Sequence, residues 1–187
     1  MVYVSSFLLF LRHIVEHVFE TRKHFFDMTK LQTNIERLGR WVDLYQDQLY
    51  RYAFFRLGNR GDAEDVLQEA FLKVASSTTD IRNPKAYLYR AVASGCVDML
   101  RRRTHTLPID KGVGLQAEGS ADEAEEEFRR INNLLKELPE QQSEVIRLHI
   151  YGQMKFTEIA EMMDISASTI KSRFSSGIER LRQLFIN

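Results

Sequence analysis

The chain has 187 residues, of which 44% are hydrophobic and 28% charged, a globular composition with room for one domain or two small ones. Its single cysteine, Cys96, excludes an internal disulfide scaffold, and three prolines and nine glycines exclude collagen-like or low-complexity chains. The 26 basic and 26 acidic residues cancel only in sum: residues 28–105 are net +4, 106–127 net −6 and 128–187 net +2, so two basic stretches flank an acidic one and suit an anionic partner.

Residues 1–27 read unlike the rest and hold six of the aromatics. Their longest apolar stretch, Phe7–Leu11, is far short of the roughly 20 residues that span a bilayer, so no membrane insertion is expected. No basic residue precedes it and no small-residue cleavage site follows, which argues against a signal peptide. Met28-Thr29-Lys30 would make an ordinary start, so 1–27 is expected to be an extension, either a mis-called start or an appendage. His13 and His17 have metal-ligand spacing, with Glu16 beside them but no clear third ligand, and no metal site is expected.

Residues 31–75 are helical in pattern. Leu38, Trp41, Val42, Leu44, Tyr45, Leu49, Tyr52, Ala53 and Leu57 fall near helical spacing. Gly58–Gly61 marks a turn, and Asp62 is the expected N-cap of a second helix. That helix turns Ala63, Val66, Leu67, Ala70, Phe71 and Val74 inward. Its other face shows Asp62, Glu64, Asp65, Gln68, Glu69 and Lys73. After a polar loop, Pro84 opens a helix to residue 103 with Tyr87, Leu88, Ala91, Val92, Val97 and Leu100. Gly95 inside it costs about 1 kcal/mol relative to alanine.

Residues 106–125 lack periodicity and read as a flexible, acidic linker. Beyond it, Phe128, Ile131, Leu134, Leu135 and Leu138 form one stripe, and Pro139 opens a helix that Gly152 ends. A short helix follows, with Thr157 as expected cap. Asp164-Ile165 turns the chain, and Ser166 caps a last helix with Ile170, Phe174, Ile178, Leu181 and Phe185 inward. Helix, tight turn, helix is the helix-turn-helix arrangement.

With that stripe inward, Ser168, Thr169, Lys171, Ser172, Arg173 and Ser175 face outward. They lie in the half of the last helix that enters the major groove in this motif. Such a face fits DNA and fits plain solvent equally well. Arg180 and Arg182 suit phosphates. Tyr87, Tyr89, Arg90 and the Arg101–Arg103 run place aromatics beside cations, a combination that suits unpaired bases; the run also suits a helix C-terminus, and Tyr87 a core. No catalytic constellation, phosphate loop or cofactor motif is present, so neither an enzyme nor a cofactor is expected.

Three blocks resemble bacterial extracytoplasmic-function sigma factors of the sigma-70 superfamily. Asp62–Val74 (DAEDVLQEAFLKV) looks like the polymerase-binding helix. Ala86–Arg90 through Asp98–Arg103 looks like the promoter-melting, minus-ten helix. Leu138-Pro139, Phe156–Glu161 and Ile165–Arg173 look like the minus-thirty-five-binding domain. Departures are Ala93-Ser94-Gly95 where polar residues are usual, Ala75 for a common Trp, and Asp164 for the usual turn Gly.

The resemblance implies an all-α protein of two small helical domains, 28–105 and 126–187, joined by the acidic linker, the second a four-helix, helix-turn-helix domain. It implies a cytoplasmic, dissociable subunit of RNA polymerase that directs promoter-specific initiation in response to a stress or envelope signal. Implied partners are core RNA polymerase, promoter DNA and an anti-sigma factor. Asp62, Glu64, Asp65, Gln68 and Glu69 would contact polymerase. Asn83, Lys85, Tyr87, Arg90, Arg101, Arg102 and Arg103 would contact melted or upstream DNA. Ser168, Thr169, Lys171, Ser172 and Arg173 would read the upstream element, with Arg180 and Arg182 on phosphates. The rivals are a stand-alone helix-turn-helix regulator, which needs no acidic helix, and an adaptor with no DNA role.

Overall fold

The computed structural model describes residues 28–77, 81–106 and 123–186. The 1–27 extension with its histidine pair, the loop tip at 78–80 and most of the acidic linker lie outside the described residues. Every regular element among those described is helical. They are α1 (Met28–Leu57), α2 (Arg60–Ser76), α3 (Pro84–Thr106), α4 (Glu123–Lys136), α5 (Glu140–Ile146), α6 (Phe156–Met163) and α7 (Ala167–Ile186). A π-helical turn, Arg147–Tyr151, joins α5 to the approach to α6. The chain divides into two units, Met1–Trp41 and Val42–Asn187, and α1 runs through the boundary. In the first, Leu38 and Trp41 are buried and Arg37 sits over the Trp41 ring, 5.1 Å from its centroid. The second holds all the candidate site residues.

Helix α2 begins two residues before the expected cap. Asn59 Oδ1 accepts the Asp62 amide at 3.0 Å, so Asn59 is the N-cap. Gly58 supplies the left-handed turn before it, at φ 70°. The predicted stripe is the buried one: Ala63, Val66, Leu67, Ala70, Phe71 and Val74. Helix α3 lies against α2 and buries Ala86, Leu88, Tyr89, Val92 and Cys96. Gly95 has its reason here, because a Cβ at that position would come 2.8 Å from Val66 Cγ1. Gly95→Ala is expected to gain about 1 kcal/mol of helix propensity and to lose about 1–3 kcal/mol to overpacking, a net loss. In a Val66→Ala background the loss should shrink; urea unfolding of the four proteins in this cycle checks it.

In the C-terminal part, Leu135, Leu138 and Ile146 form a buried cluster, with Ile131, Tyr151, Phe174, Ile178 and Leu181 packed on it. A Cβ at Gly177 would come 2.8 Å from Ile146 Cδ1, so α7 runs tight over α5. The turn between α6 and α7 holds Asp164 in the left-handed region at φ 55°, as aspartate there tolerates. Ser166 caps α7, its Oγ accepting the Thr169 amide at 3.1 Å. Thr157 does not cap α6. That helix starts at Phe156 behind Lys155, whose amide donates to Glu158 Oε2 at 2.7 Å, so the carboxylate satisfies the helix start. Three apolar residues at helical spacing are not core: Leu44 is 62% exposed, Val97 48% and Phe185 53%. Each lies on a face left uncovered among the described residues, save that Arg130 stacks 4.8 Å from the Phe185 ring centroid.

Candidate polymerase and nucleic-acid interfaces

Helix α2 turns its apolar stripe to α3, which leaves its acidic face outward. Glu64, Asp65 and Glu69 are exposed and Gln68 is half-buried. Glu69 pairs with Lys73 one turn on, at 2.9 Å. Asp62 stands apart from this group: it is half-buried and ion-paired with Arg103. Arg103 also donates from Nη1 to Leu57 O at 2.9 Å, satisfying a carbonyl at the end of α1. The structure therefore brings together two residues that the sequence assigned to different interfaces.

The start of α3 carries the next group. Asn83 Oδ1 accepts the Ala86 amide at 3.0 Å and so caps α3, while its Nδ2 donates to Glu161 Oε1 at 2.9 Å. Lys85 Nζ lies 2.8 Å from Glu158 Oε2. Burial alone would raise the Glu158 carboxyl, but the Lys85 ammonium and the Lys155 amide outweigh it and hold it below the usual carboxylate range. Arg90 donates from Nε to Met162 O and from Nη2 to Glu161 O, both at 2.9 Å. Tyr87 is half-buried; Arg101 and Arg102 are exposed. Tyr89 corrects the expectation of an exposed stacking ring: it is fully buried, and its hydroxyl donates to Gly152 O. Its ring occupies the space that a Cβ at Gly152 would need, 2.9 Å from Tyr89 Cε1.

On α7, Ser168, Thr169, Lys171 and Ser172 are exposed and Arg173 is half-buried. Ser166 Oγ lies 2.8 Å from both Ser168 Oγ and Thr169 Oγ1, which gathers three hydroxyls at the helix start. Arg180 and Arg182 are exposed, and Arg182 reaches Glu179 at 2.8 Å.

Sequence reasoning missed a buried polar cluster between α1 and α5. Tyr52 donates to Glu144 Oε1, and Arg56 pairs with Glu144 Oε2 and, at 3.0 Å, with Glu140. Arg147 donates to Ser143 Oγ at 3.1 Å. Burial pushes the Tyr52 hydroxyl up to about 12, so it stays a donor. Nothing in a helical period separates these charges from solvated ones; only their partners, about 90 residues away, keep them inside.

Residues 41–106 match the model of sigma-70 region 2, and residues 128–181 that of sigma-70 region 4. The ECF RNA polymerase sigma factor SigW of Bacillus subtilis is 29% identical over 159 residues, covering 76% of this chain and 85% of that protein. The RNA polymerase sigma-E factor of Streptomyces avermitilis is 31% identical over 152 residues, covering 76% and 82%. The chain belongs to the extracytoplasmic-function sigma factors. This sigma factor directs promoter-specific transcription initiation. Its region 2 takes in the end of α1 with α2 and α3; its region 4 takes in α4 to α7. Its fold is also that of the sigma factor RpoE, solved in complex with the anti-sigma factor NepR from Bartonella quintana, at 21% identity and a TM-score of 0.60, covering 80% of this chain and 97% of that one. No helix among the described residues is long and apolar enough to cross a membrane.

Proposed function

We propose that this sigma factor divides its work between oppositely charged surfaces. Glu64, Asp65, Gln68 and Glu69 of α2, flanked by Asp62, dock on a basic surface of core RNA polymerase. Charge complementarity of this kind speeds association and fixes orientation more than it adds affinity. Asn83, Lys85, Tyr87, Arg90 and the Arg101–Arg103 run take melted or upstream DNA. The start of α7 enters the minus-thirty-five major groove, where Ser168, Thr169, Lys171, Ser172 and Arg173 meet bases and phosphates. Arg180 and Arg182 hold the backbone. Residues 106–125 tether the two working parts. The factor acts in the cytoplasm, answers a stress or envelope signal, and is restrained by an anti-sigma factor, as the relative solved with NepR suggests.

The observation that carries this reading is the outward cluster of hydroxyls and cations at the start of α7, capped by Ser166, on the second helix of a helix-turn-helix. Lys171→Ala with Arg173→Ala is expected to weaken binding to an upstream-element duplex by about 10–100-fold, at about 1–3 kcal/mol for a good base contact. The slope of log affinity against log salt should flatten by about 1 for each phosphate contact removed. Titration of labelled duplex at several salt concentrations checks both.

A further inference from the structure

The middle of α3 shows a face that the DNA assignments leave out. The helix buries Leu88, Tyr89, Val92 and Cys96 and leaves Ser94, Val97, Asp98, Arg101 and Arg102 exposed. Those five recur at intervals of three and four, the spacing of one helix face. Ser94 to Arg101 spans two turns, about 10 Å, the length of about three stacked nucleotide steps. Val97, 48% exposed, is the one exposed apolar side chain among the described residues of α3.

A lone exposed valine is ordinary on a solvated surface. What sets Val97 apart is its company. Ser94 lies one turn before it, Arg101 one turn after it, and Asp98 beside it. In the family, polar residues are usual at Ala93-Ser94-Gly95. Here Ala93 is half-buried and Gly95 packs against Val66, and neither carries a side chain that can bond to a base edge. The charges then order what remains. Arg101 and Arg102 attract phosphates, whereas the Asp98 carboxylate repels them, so the middle of the face suits a base and its end suits the backbone. Among the groups that base edges present, a valine methyl matches one, the C5-methyl of thymine. The others are donors or acceptors, which an apolar neighbour would leave unpaired.

We propose that Val97 reads the methyl group of a thymine in the melted stretch of the promoter, while Arg101 and Arg102 hold the backbone alongside. Val97 is then a specificity-determining residue, set beside the residues assigned to DNA and not among them. This rests on the assignment of α3 to melted DNA.

Uracil differs from thymine by that methyl alone. The test takes a promoter whose start site has been mapped by run-off transcription with core RNA polymerase. Uracil replaces thymine one position at a time, in each strand of the melted stretch, and each duplex is titrated with the holoenzyme. With wild type, one position should lose about fourfold in affinity, the worth of one buried methyl-sized group. Val97→Ala should bind the thymine promoter about as weakly as wild type binds the uracil one, and should no longer tell the two apart. Val97→Ile keeps an apolar contact and should keep the discrimination. Val97 is exposed, so neither variant disturbs the α2–α3 core. A wild-type holoenzyme indifferent to uracil at every position overturns the proposal, and so does a loss that persists undiminished in Val97→Ala. In both cases a defined start site still upholds the sigma reading. If wild type directs no start site from core polymerase, the functional assignment itself fails, and the reading of a thymine falls with it.

Discussion

Asp65→Lys combined with Glu69→Lys should abolish association with core RNA polymerase while leaving the fold intact. Both side chains are exposed on the outward face of α2, and neither belongs to the stripe against α3. Exposed substitutions away from buried features change stability by about 0.5 kcal/mol or less. Placing two cations against a basic partner reverses the sign of the contact at a cost of several kcal/mol, and about 2.7 kcal/mol already amounts to a 100-fold loss of affinity. Size-exclusion co-elution and titration with core polymerase would show the loss. Duplex binding through α7 should be untouched, because that face lies on a different helix. A stand-alone helix-turn-helix regulator would show no change in polymerase binding, having none to lose.

Two residues further along the same helix the consequence inverts. Phe71 is fully buried in the α2–α3 core. Phe71→Ala should cost about 3–5 kcal/mol, from the lost transfer free energy together with the cavity left behind. Domains of this kind are commonly stable by only about 5–15 kcal/mol, so region 2 would stand near its unfolding threshold at growth temperature. Urea unfolding should show a large fall in the midpoint with an unchanged slope. Polymerase binding would fall too, but in proportion to the unfolded fraction, and would recover on cooling. The Asp65/Glu69 pair would show no such recovery.

These two positions show what a helical period reveals. The stripe from Ala63 to Val74 and the pattern Ile170, Phe174, Ile178 were legible because each helix buries one face, whatever covers it. The period gives no partner. It therefore could not separate Leu88, which meets the core, from Val97 in the same helix, which is exposed. It placed Tyr89 outside with the cations, although a buried tyrosine needs only one acceptor, and Gly152 O provides it. Glu144 and Arg147 carried no signal of burial, because burial of a charge depends on partners distant in sequence. The caps at Asn59 and Lys155 were displaced by three and two residues, since several polar side chains near a helix start compete for the same amides. Gly95, costly by propensity, became intelligible only with Val66 in place across from it. Of the candidate site, the charge segregation and the α7 face were readable, whereas the engagement of Asn83, Lys85 and Arg90 by α6 was not.

Reconstituted run-off transcription tests the central claim most directly. Core RNA polymerase would be combined with the purified chain on DNA fragments from the parent genome, and transcript ends mapped. The predicted result is a set of defined start sites that appear only when the chain is added and vanish with Asp65→Lys/Glu69→Lys. A chain that never co-elutes with core polymerase, and adds no start site on any fragment, would contradict the account.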